Sequence, residues 1–186
     1  MTQADAITQL QRDVRYLNDR LQIQDVIASQ ARGHDRLDAD IITAAYHPDG
    51  VDEHGYAINA GPAYAEWANR VHAQGSLLHL HNITTHLCEI DGDIAHCESY
   101  VLVGLLNNDG KTARLINGRY VDRLERRDGV WKIALRRATV DLLLAGDASI
   151  LQSPLFVEQG YTRGTRDKED ISYSRPLTQE APVSRW

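Results

Sequence analysis

Two histidines lie two residues apart in the apolar segment 78–82, which reads Leu-His-Leu-His-Asn. In a β-strand alternate side chains share a face, so His79 and His81 would point one way and the leucines the other. A carboxylate that accepts from one imidazole nitrogen fixes the tautomer and leaves the other nitrogen free to take a proton. The segment is therefore a candidate for a general base, provided that a carboxylate can reach it.

That carboxylate is predicted at the end of a long amphipathic helix. Apolar residues recur at three- and four-residue spacing from Ile7 to Ala31, and Gly33 can end or bend a helix. Asp35 then lies at the helix terminus, where we expect it to orient His81 if the helix roofs the sheet. His79, on the same face, is a candidate substrate-binding residue. A strand histidine that only packs is the alternative.

A second concentration of histidine and acid spans residues 46–55, Tyr-His-Pro-Asp-Gly-Val-Asp-Glu-His-Gly. A turn that enters a short strand explains much of this composition. Alternation in that strand lets Asp52 and His54 share a face. Tyr46, Asp52 and His54 are therefore candidate substrate-binding residues.

A metal site is the main alternative for the two strand histidines, because His-x-His supplies two ligands on one face. Completing it needs a further histidine or carboxylate nearby. Strand parity puts His86 on the opposite face from His79 and His81, and Thr84 and Thr85 stand where a carboxylate would be expected. Neither a G-x-S-x-G turn nor a glycine-rich phosphate loop is present. We therefore expect no metal and no cofactor.

The rest of the chain predicts one α+β domain. Asp38 is placed to cap a short helix, and Pro62 to begin another. After Gly75 the apolar period changes to two. Four strands separated by Asn-, Asp- and Gly-rich hairpin turns are predicted at 78–90, 94–106, 113–124 and 130–143. This order favours a curved antiparallel or mixed sheet wrapped around the N-terminal helices. We place the domain at residues 1–150 and an extended C-terminal arm, a candidate cover for a neighbouring pocket, at 151–186.

Composition limits the class of protein. The 186 residues suit one domain, and 20 basic against 26 acidic side chains leave a net charge of -6 without a basic block, which argues against nucleic acid as a partner. The apolar runs are too short to cross a bilayer. The first residues lack a secretion signal, which favours the cytoplasm. The narrow apolar stripe of the first helix indicates a homo-oligomer, either a dimer or a trimer.

Taken together, these motifs resemble the nuclear transport factor 2-like superfamily in its SnoaL-like branch, and most nearly the hexachlorocyclohexane dehydrochlorinases. The resemblance spans residues 10–145. It rests on Ile-Gln-Asp at 23–25 followed ten residues later by Asp35, on His81 with Glu89 eight residues on, and on Glu-Arg-Arg-Asp-Gly-Val-Trp-Lys at 125–132. It implies a cone-shaped α+β barrel, a deep apolar pocket and cofactor-independent chemistry by an Asp-His pair.

Residue by residue, the resemblance implies that Asp35 orients His81 and that His81 abstracts a proton. The additional pocket residues that it implies are Tyr100, Leu102, Ile116, Tyr120 and Arg136. The dehydrochlorinases have a lysine where this chain has Gln30, so a chloride leaving group is less expected. They have a tryptophan where it has Asp52, so one wall is more polar. Both departures suit a substrate that carries hydroxyl groups.

We therefore predict a cofactorless lyase that eliminates water or formaldehyde from a hydroxylated, aromatic small molecule, such as a lignin-derived diarylpropane. Arg136 and Tyr120 are the candidates for stabilising the charge that develops. The alternatives are a non-catalytic binding module of the same fold, a metal-dependent lyase built on His79 and His81, and dehydrochlorinase, isomerase or cyclase chemistry in the same pocket.

Overall fold

The computed structural model describes residues 2–186 and begins with one long helix, α1, at Gln3–Asp35. Thr2 and Asp5 exchange side-chain to backbone hydrogen bonds, which satisfy N–H groups at the helix start. The first half of α1 is exposed, whereas from Ile23 onward one stripe is buried. The last turn, residues 33–35, is buried as well, so α1 carries Asp35 into the interior as predicted.

Two shorter helices pack near the end of α1. Helix α2 spans Ala39–Ala44 and is capped by Asp38, and α3 spans Gly61–Gly75. A Cβ atom on Gly33 would lie 2.8 Å from Cγ1 of Ile42, so this close packing of α1 on α2 requires glycine. None of the helices between residues 2 and 186 is long and apolar enough to cross a membrane.

Seven strands form one curved sheet that packs against the helices. They are β1 at Tyr46–His54, β2 at Ala57–Ala60, β3 at Leu78–Asp91, β4 at Ile94–Leu106, β5 at Thr112–Arg127, β6 at Val130–Ala138 and β7 at Leu142–Asp147. Their order is β2-β1-β6-β5-β4-β3, with β7 paired to β5. The β1–β6 pair is parallel and all other pairs are antiparallel. The predicted α+β class, with a mixed sheet wrapped around N-terminal helices, is confirmed.

A β-bulge in β3 changes which side chains face the helices. The pairing register of β3 with β4 shifts between Ile83 and His86. Before the shift His79 and His81 face inward, and after it His86 and Cys88 do. The prediction that His86 lies on the opposite face from His79 and His81 is therefore wrong, because the bulge adds one residue to the strand.

The fourth predicted strand, 130–143, is in fact two strands. Strand β6 pairs with residues 120–127 of β5, whereas β7 pairs with residues 112–117 of the same strand. A Cβ atom on Gly118 would lie 2.0 Å from the carbonyl oxygen of Thr139. Both strands lie along the same edge of β5. The link between them, residues 139–141, approaches the backbone of β5 so closely at Gly118 that glycine is required there, and this irregular link interrupts the predicted strand.

Buried apolar side chains form two clusters, one between the helices and the inner face of the sheet and one on the sheet alone. The larger cluster contains Ile23, Ile27, Ile42, Tyr46, Tyr64, Leu124, Trp131 and Ile133, together with smaller residues that include Cys88 and Cys97. The smaller cluster contains Val101, Val103, Leu105 and Tyr120. Tyr120, which is 3% exposed, therefore lies within the apolar interior.

The C-terminal segment, residues 151–186, packs on its own chain. A helical turn at Ser149–Gln152 leads into it, and it contains the turns Pro154–Val157, which is α4, and Ile171–Tyr173. Lys168 donates to the carboxylate of Asp38 at 2.7 Å, and Arg166 donates to the carbonyl of His72 at 3.0 Å. The predicted arm is thus fastened to the start of α2 and to α3 of the same chain.

Candidate active site

The carboxylate of Asp35 holds the ring of His81 by its Nδ1 atom. Nδ1 lies 2.7 Å from Oδ1 of Asp35, and the backbone N–H of His81 donates to both carboxylate oxygens at 3.0 and 3.1 Å. These bonds stabilise a carboxylate placed at the negative end of the α1 dipole. With the proton on Nδ1, the Nε2 lone pair is free, because the bond of Nδ1 to Asp35 is the one hydrogen bond of this ring among residues 2–186. His81 is therefore arranged to accept a proton.

Three further histidines surround His81. The ring centroids of His34, His72 and His79 lie 5.1, 5.4 and 5.7 Å from that of His81. Burial lowers the pKa of His34 well below its ordinary value, that of His72 to about 2 and that of His79 to about 4. All three are therefore uncharged at neutral pH, and His81 is the one of the four with a carboxylate partner.

His79 occupies a packing position on the same face as His81. Its Nε2–H donates to the carbonyl of His34 at 2.6 Å, at the end of α1, and its ring stacks on His72 at 4.2 Å. The residue is 1% exposed. The prediction that His79 and His81 share a face is confirmed. The ring N–H of neutral His79 is used in the bond to the carbonyl of His34, so the ring has no free N–H with which to bind a substrate.

His79 should make the fold sensitive to acid. An unfolded histidine takes up a proton near its ordinary pKa of 6.5, whereas folded His79 does so only at a pKa of about 4. The unfolded state therefore binds more protons between these values, and stability falls as the pH drops from about 6.5 to about 4, by about 3 kcal/mol from this residue. Denaturant unfolding from about pH 7.5 to pH 4 should show this loss.

The matched variant is His79→Gln, whose amide can donate to the same carbonyl but does not titrate. Its unfolding free energy should fall by about 3 kcal/mol less than that of the wild type over the same pH range. Parallel pH curves for the two proteins would show that His79 is not the cause.

Arg136 and Gln30 belong to a polar network buried inside the protein. The guanidinium of Arg136 donates twice to Asp122 and once to Oε1 of Gln30, each at 2.7 Å, and lies 3.9 Å from the ring centroid of Tyr120. Burial opposes its charge, but the Asp122 carboxylate overcomes this and raises the pKa of Arg136 well above its ordinary value. The amide of Gln30 lies 2.8 Å from Nε2 of His34. The guanidinium of Arg136 is thus hydrogen-bonded by Asp122 and Gln30 of the protein itself.

Tyr46, Asp52 and His54 form the opposite wall of the site. The hydroxyl of Tyr46 donates to Asp52, and Nδ1 of His54 contacts the other oxygen of the same carboxylate. The side chain of Asp52 is fully buried, while that of His54 is 27% exposed. The prediction that Asp52 and His54 share a face is confirmed.

Two residues outside the predicted set of site residues, His34 and Tyr64, connect the two walls. The hydroxyl of Tyr64 on α3 lies 3.1 Å from Nε2 of His34 and 3.5 Å from Nε2 of His54. Trp67, one turn further along α3, packs beside Tyr64. His34 directly precedes Asp35 at a buried helix end, which is the signal that could have found it. Tyr64 belongs to an ordinary apolar helix stripe.

The pocket positions suggested on β4 and β5 divide into two groups. Tyr120 and Ile116 face the interior, where Ile116 packs on the smaller apolar cluster. Tyr100 is 41% exposed, because its neighbour Val101 takes the inward position. Leu102 has the same parity as Tyr100. The expectation that Tyr100 and Leu102 line the pocket is therefore wrong, and both belong to the outer face of the sheet.

Two groups of side chains have potential metal-ligand atoms within 4.8 Å of one another. In the group around Asp35, both histidines already bond to oxygens of the protein. The other group is His86, Cys88 and Cys97, in which the thiols are free and Nε2 of His86 is buried without a partner among residues 2–186. Two sulfurs and an imidazole suit soft metal ions. Within the described residues each group therefore keeps a ring nitrogen without a partner, Nδ1 of His79 in the first and Nε2 of His86 in the second, but only the second also has two free thiols.

Several solved structures resemble this fold. Hexachlorocyclohexane dehydrochlorinase LinA type 3 from Novosphingobium barchaimii LL02 is 25% identical with a TM-score of 0.67, over 72% of this chain and 94% of that chain. Rv3472 from Mycobacterium tuberculosis, of unknown function, is 30% identical with a TM-score of 0.61, over 69% and 75%. A scytalone dehydratase-like protein from Novosphingobium aromaticivorans DSM 12444 is 14% identical with a TM-score of 0.63, over 69% and 88%, and shows the fold alone. Curated protein sequences give no significant match.

The sequence also matches a family model that describes a SnoaL-like domain, over residues 15–137. The match begins within α1 and ends within β6, so it includes Asp35, His81 and the wall that holds His54. It covers more than half of the chain. On this ground the chain belongs to the SnoaL-like domain family.

Proposed function

We propose that this protein is a cofactor-independent lyase in which His81, oriented by Asp35, removes a proton from a small-molecule substrate. The observation that carries this assignment is the 2.7 Å contact between Nδ1 of His81 and Asp35, which leaves Nε2 free. General base catalysis contributes about 10²- to 10⁴-fold, so orientation and charge stabilisation supply the rest. The likeness to LinA, a dehydrochlorinase by name, supports elimination chemistry.

The walls around His81 favour a hydroxylated aromatic substrate. Aromatic rings are supplied by Tyr64, Trp67 and Tyr120, and polar groups by His54 and the tyrosine hydroxyls. Flat rings stack on such surfaces, while a few placed polar groups fix orientation. A lignin-derived diarylpropane is one such molecule. Loss of water and loss of formaldehyde both begin with proton transfer at a C–H or O–H next to the breaking bond.

Dehydrochlorination is the second candidate, because the LinA likeness favours it. Isomerase or cyclase chemistry would use the same base. The residues beside the base argue against chloride as the leaving group. Gln30 is a neutral amide, and the cation next to it, Arg136, is paired with Asp122. A departing hydroxyl group, which can be protonated, fits these surroundings better.

A substrate panel tests the assignment. Metal-stripped protein is incubated with phenolic diarylpropanes, related hydroxylated compounds and a chlorinated cyclohexane, while conjugated absorbance, formaldehyde and chloride are followed. We expect absorbance to rise, with formaldehyde for a deformylating lyase and without it for a dehydratase. Chloride release would instead identify a dehydrochlorinase. Binding without turnover would identify a non-catalytic binding module, and activity that requires added metal would contradict a cofactor-independent reaction.

We expect the enzyme to work as a homo-oligomer, a dimer or a trimer, in the cytoplasm, where free thiols such as Cys88 and Cys97 persist. The early apolar stripe of α1 is exposed, and the outer sheet face carries an apolar groove of about 420 Å³ that includes Leu80, Leu144 and Trp186. Exposed apolar surface of this extent marks association sites. Light scattering should give a multiple of the chain mass, and Leu80→Lys should lower it. A monomer at all concentrations would contradict this expectation.

A further inference from the structure

The wall opposite His81 carries a second carboxylate–imidazole pair. Asp52 is fully buried, accepts from the hydroxyl of Tyr46 and contacts Nδ1 of His54. Nε2 of His54 faces the hydroxyl oxygen of Tyr64 at 3.5 Å. Both ring nitrogens of His54 therefore face oxygens that can accept a hydrogen bond. A carboxylate at Nδ1 and a hydroxyl oxygen at Nε2 suit the doubly protonated imidazolium.

The two pairs differ in what surrounds Nε2. Among residues 2–186 the one hydrogen bond of the His81 ring is that of Nδ1 to Asp35, so Nε2 is open to accept a proton. Nε2 of His54 faces an oxygen at a distance where the bond is weak, so that a substrate oxygen could replace it. His81 is thus arranged as a base and His54 as an acid. This asymmetry follows from geometry alone.

The same interior joins the two pairs. The ring of His34 lies 5.1 Å from that of His81, and its Nε2 lies 3.1 Å from the hydroxyl of Tyr64, which in turn faces His54. The ring of Tyr120 lies 6.2 Å from that of His54. Burial raises the pKa of Tyr120, although the guanidinium of Arg136, which lies 3.9 Å from its ring centroid, opposes this increase.

Elimination from a hydroxylated substrate needs an acid as well as a base. A hydroxyl group leaves poorly as hydroxide and well as water, so the departing oxygen must receive a proton as its C–O bond breaks. Near neutral pH an imidazolium can supply it. Among the groups that face the interior, His54 has both the carboxylate that stabilises its charge and an Nε2 directed at a hydroxyl oxygen.

We propose that His54, held by Asp52 and Tyr46, is the general acid that protonates the leaving hydroxyl group while His81 acts as the base. This role rests on the proposed lyase function. In dehydration, Nε2 of His81 takes a C–H proton, the C–H electron pair forms the double bond, the C–O bond breaks, and the oxygen leaves as water with the proton of His54. In loss of formaldehyde, His81 takes an O–H proton and the O–H electron pair forms the C=O bond of formaldehyde. The pair of the C–C bond that breaks forms the new C=C bond, and the hydroxyl group on the next carbon leaves as water with the proton of His54.

Substitution of His54 by glutamine tests the acid role, because an amide can still donate to Asp52 but cannot deliver a proton. Two substrates are compared that differ only in the leaving oxygen, a free hydroxyl group and its acetate ester, since acetate departs without protonation. We expect kcat of His54→Gln to fall about 10²- to 10³-fold on the hydroxyl substrate and less than about ten-fold on the ester, with KM changed little. His96→Gln, an exposed histidine on the outer face, is the matched control.

The pH profile gives a second readout. In the wild type, kcat should fall at low pH as the base is protonated and at high pH as His54 loses its proton. In His54→Gln only the low-pH decrease should remain. The titratable or charged groups near His54 are Asp52 and Tyr46 on β1 itself, Tyr64 and His72 on α3, His34 on α1, Tyr120 on β5 and, paired with Asp52 across the strands, Arg136 on β6.

Equal losses on the two substrates, or a high-pH decrease that persists in His54→Gln, would overturn the acid role. Suppose that the wild type converts the panel substrates, that His81→Ala is inactive and that His54→Gln keeps full activity. The lyase assignment would then stand, and only the acid role of His54 would be removed. A wild type inactive on the whole panel would remove both. Circular dichroism of each variant must match the wild type for these comparisons to hold.

Discussion

Replacement of His81 by alanine should reduce kcat by at least about 10²- to 10⁴-fold while the protein stays folded. The imidazole is the group that receives the proton, and alanine offers no acceptor in its place. The backbone N–H of His81, which donates to both oxygens of Asp35, is retained in the variant. The link between the end of α1 and β3 therefore survives the substitution. Steady-state kinetics on the best panel substrate, together with a thermal melt, measures both effects.

Asp35→Asn separates positioning from proton transfer. An amide can orient the ring less well and does not stabilise the imidazolium that forms, so we expect a smaller loss of kcat than in His81→Ala. His96→Gln, on the outer face, serves as the control for removing a histidine. If folded His81→Ala turned over substrate at a rate close to that of the wild type, His81 would not be the base.

Alternation along β3 was enough to predict that His79 and His81 share a face, and helix periodicity was enough to place Asp35 at a helix end. What alternation could not decide is which imidazole meets the carboxylate. That choice depends on the end of α1, where the carbonyl of His34 accepts from His79 and the side chain of Asp35 reaches His81. These contacts are set by packing of a helix on a sheet, which no local pattern records.

The side chains of His86 and Tyr100 lie on the opposite face of the sheet from the one predicted. The bulge between Ile83 and His86 turns His86 inward, and such an insertion leaves no composition signal in β3. The resemblance predicts Tyr100 in the pocket, whereas Val101 beside it is the residue that faces the interior. The partner of Arg136 could have been suspected, because Asp122 has the inward parity of its own strand. Strand pairing was needed to join them.

Arg136→Met should lower the free energy of unfolding by about 3 to 5 kcal/mol, which is a large share of a typical domain's stability. The side chains of Arg136 and Asp122 are both 0% exposed, and their two hydrogen bonds are each 2.7 Å long. Methionine fills much of the same volume but leaves Asp122 charged without a partner, and also leaves Oε1 of Gln30 without its donor. Denaturant unfolding at neutral pH measures the loss.

The neighbouring residue on β6 provides the matched control. Arg137 makes an ion pair with Glu53 at 2.9 Å, but its side chain is 65% exposed, so Arg137→Met should change stability by less than about 1 kcal/mol. The double variant Arg136→Met with Asp122→Leu should recover most of the loss, because an apolar pair replaces a buried ion pair at little cost. If Arg136→Met cost no more than Arg137→Met, the buried pair would not be a structural element. Activity of the double variant is a separate measurement. If this variant is as stable as the wild type but inactive, the buried ion pair also serves the reaction, through Tyr120 and Gln30, which Arg136 contacts.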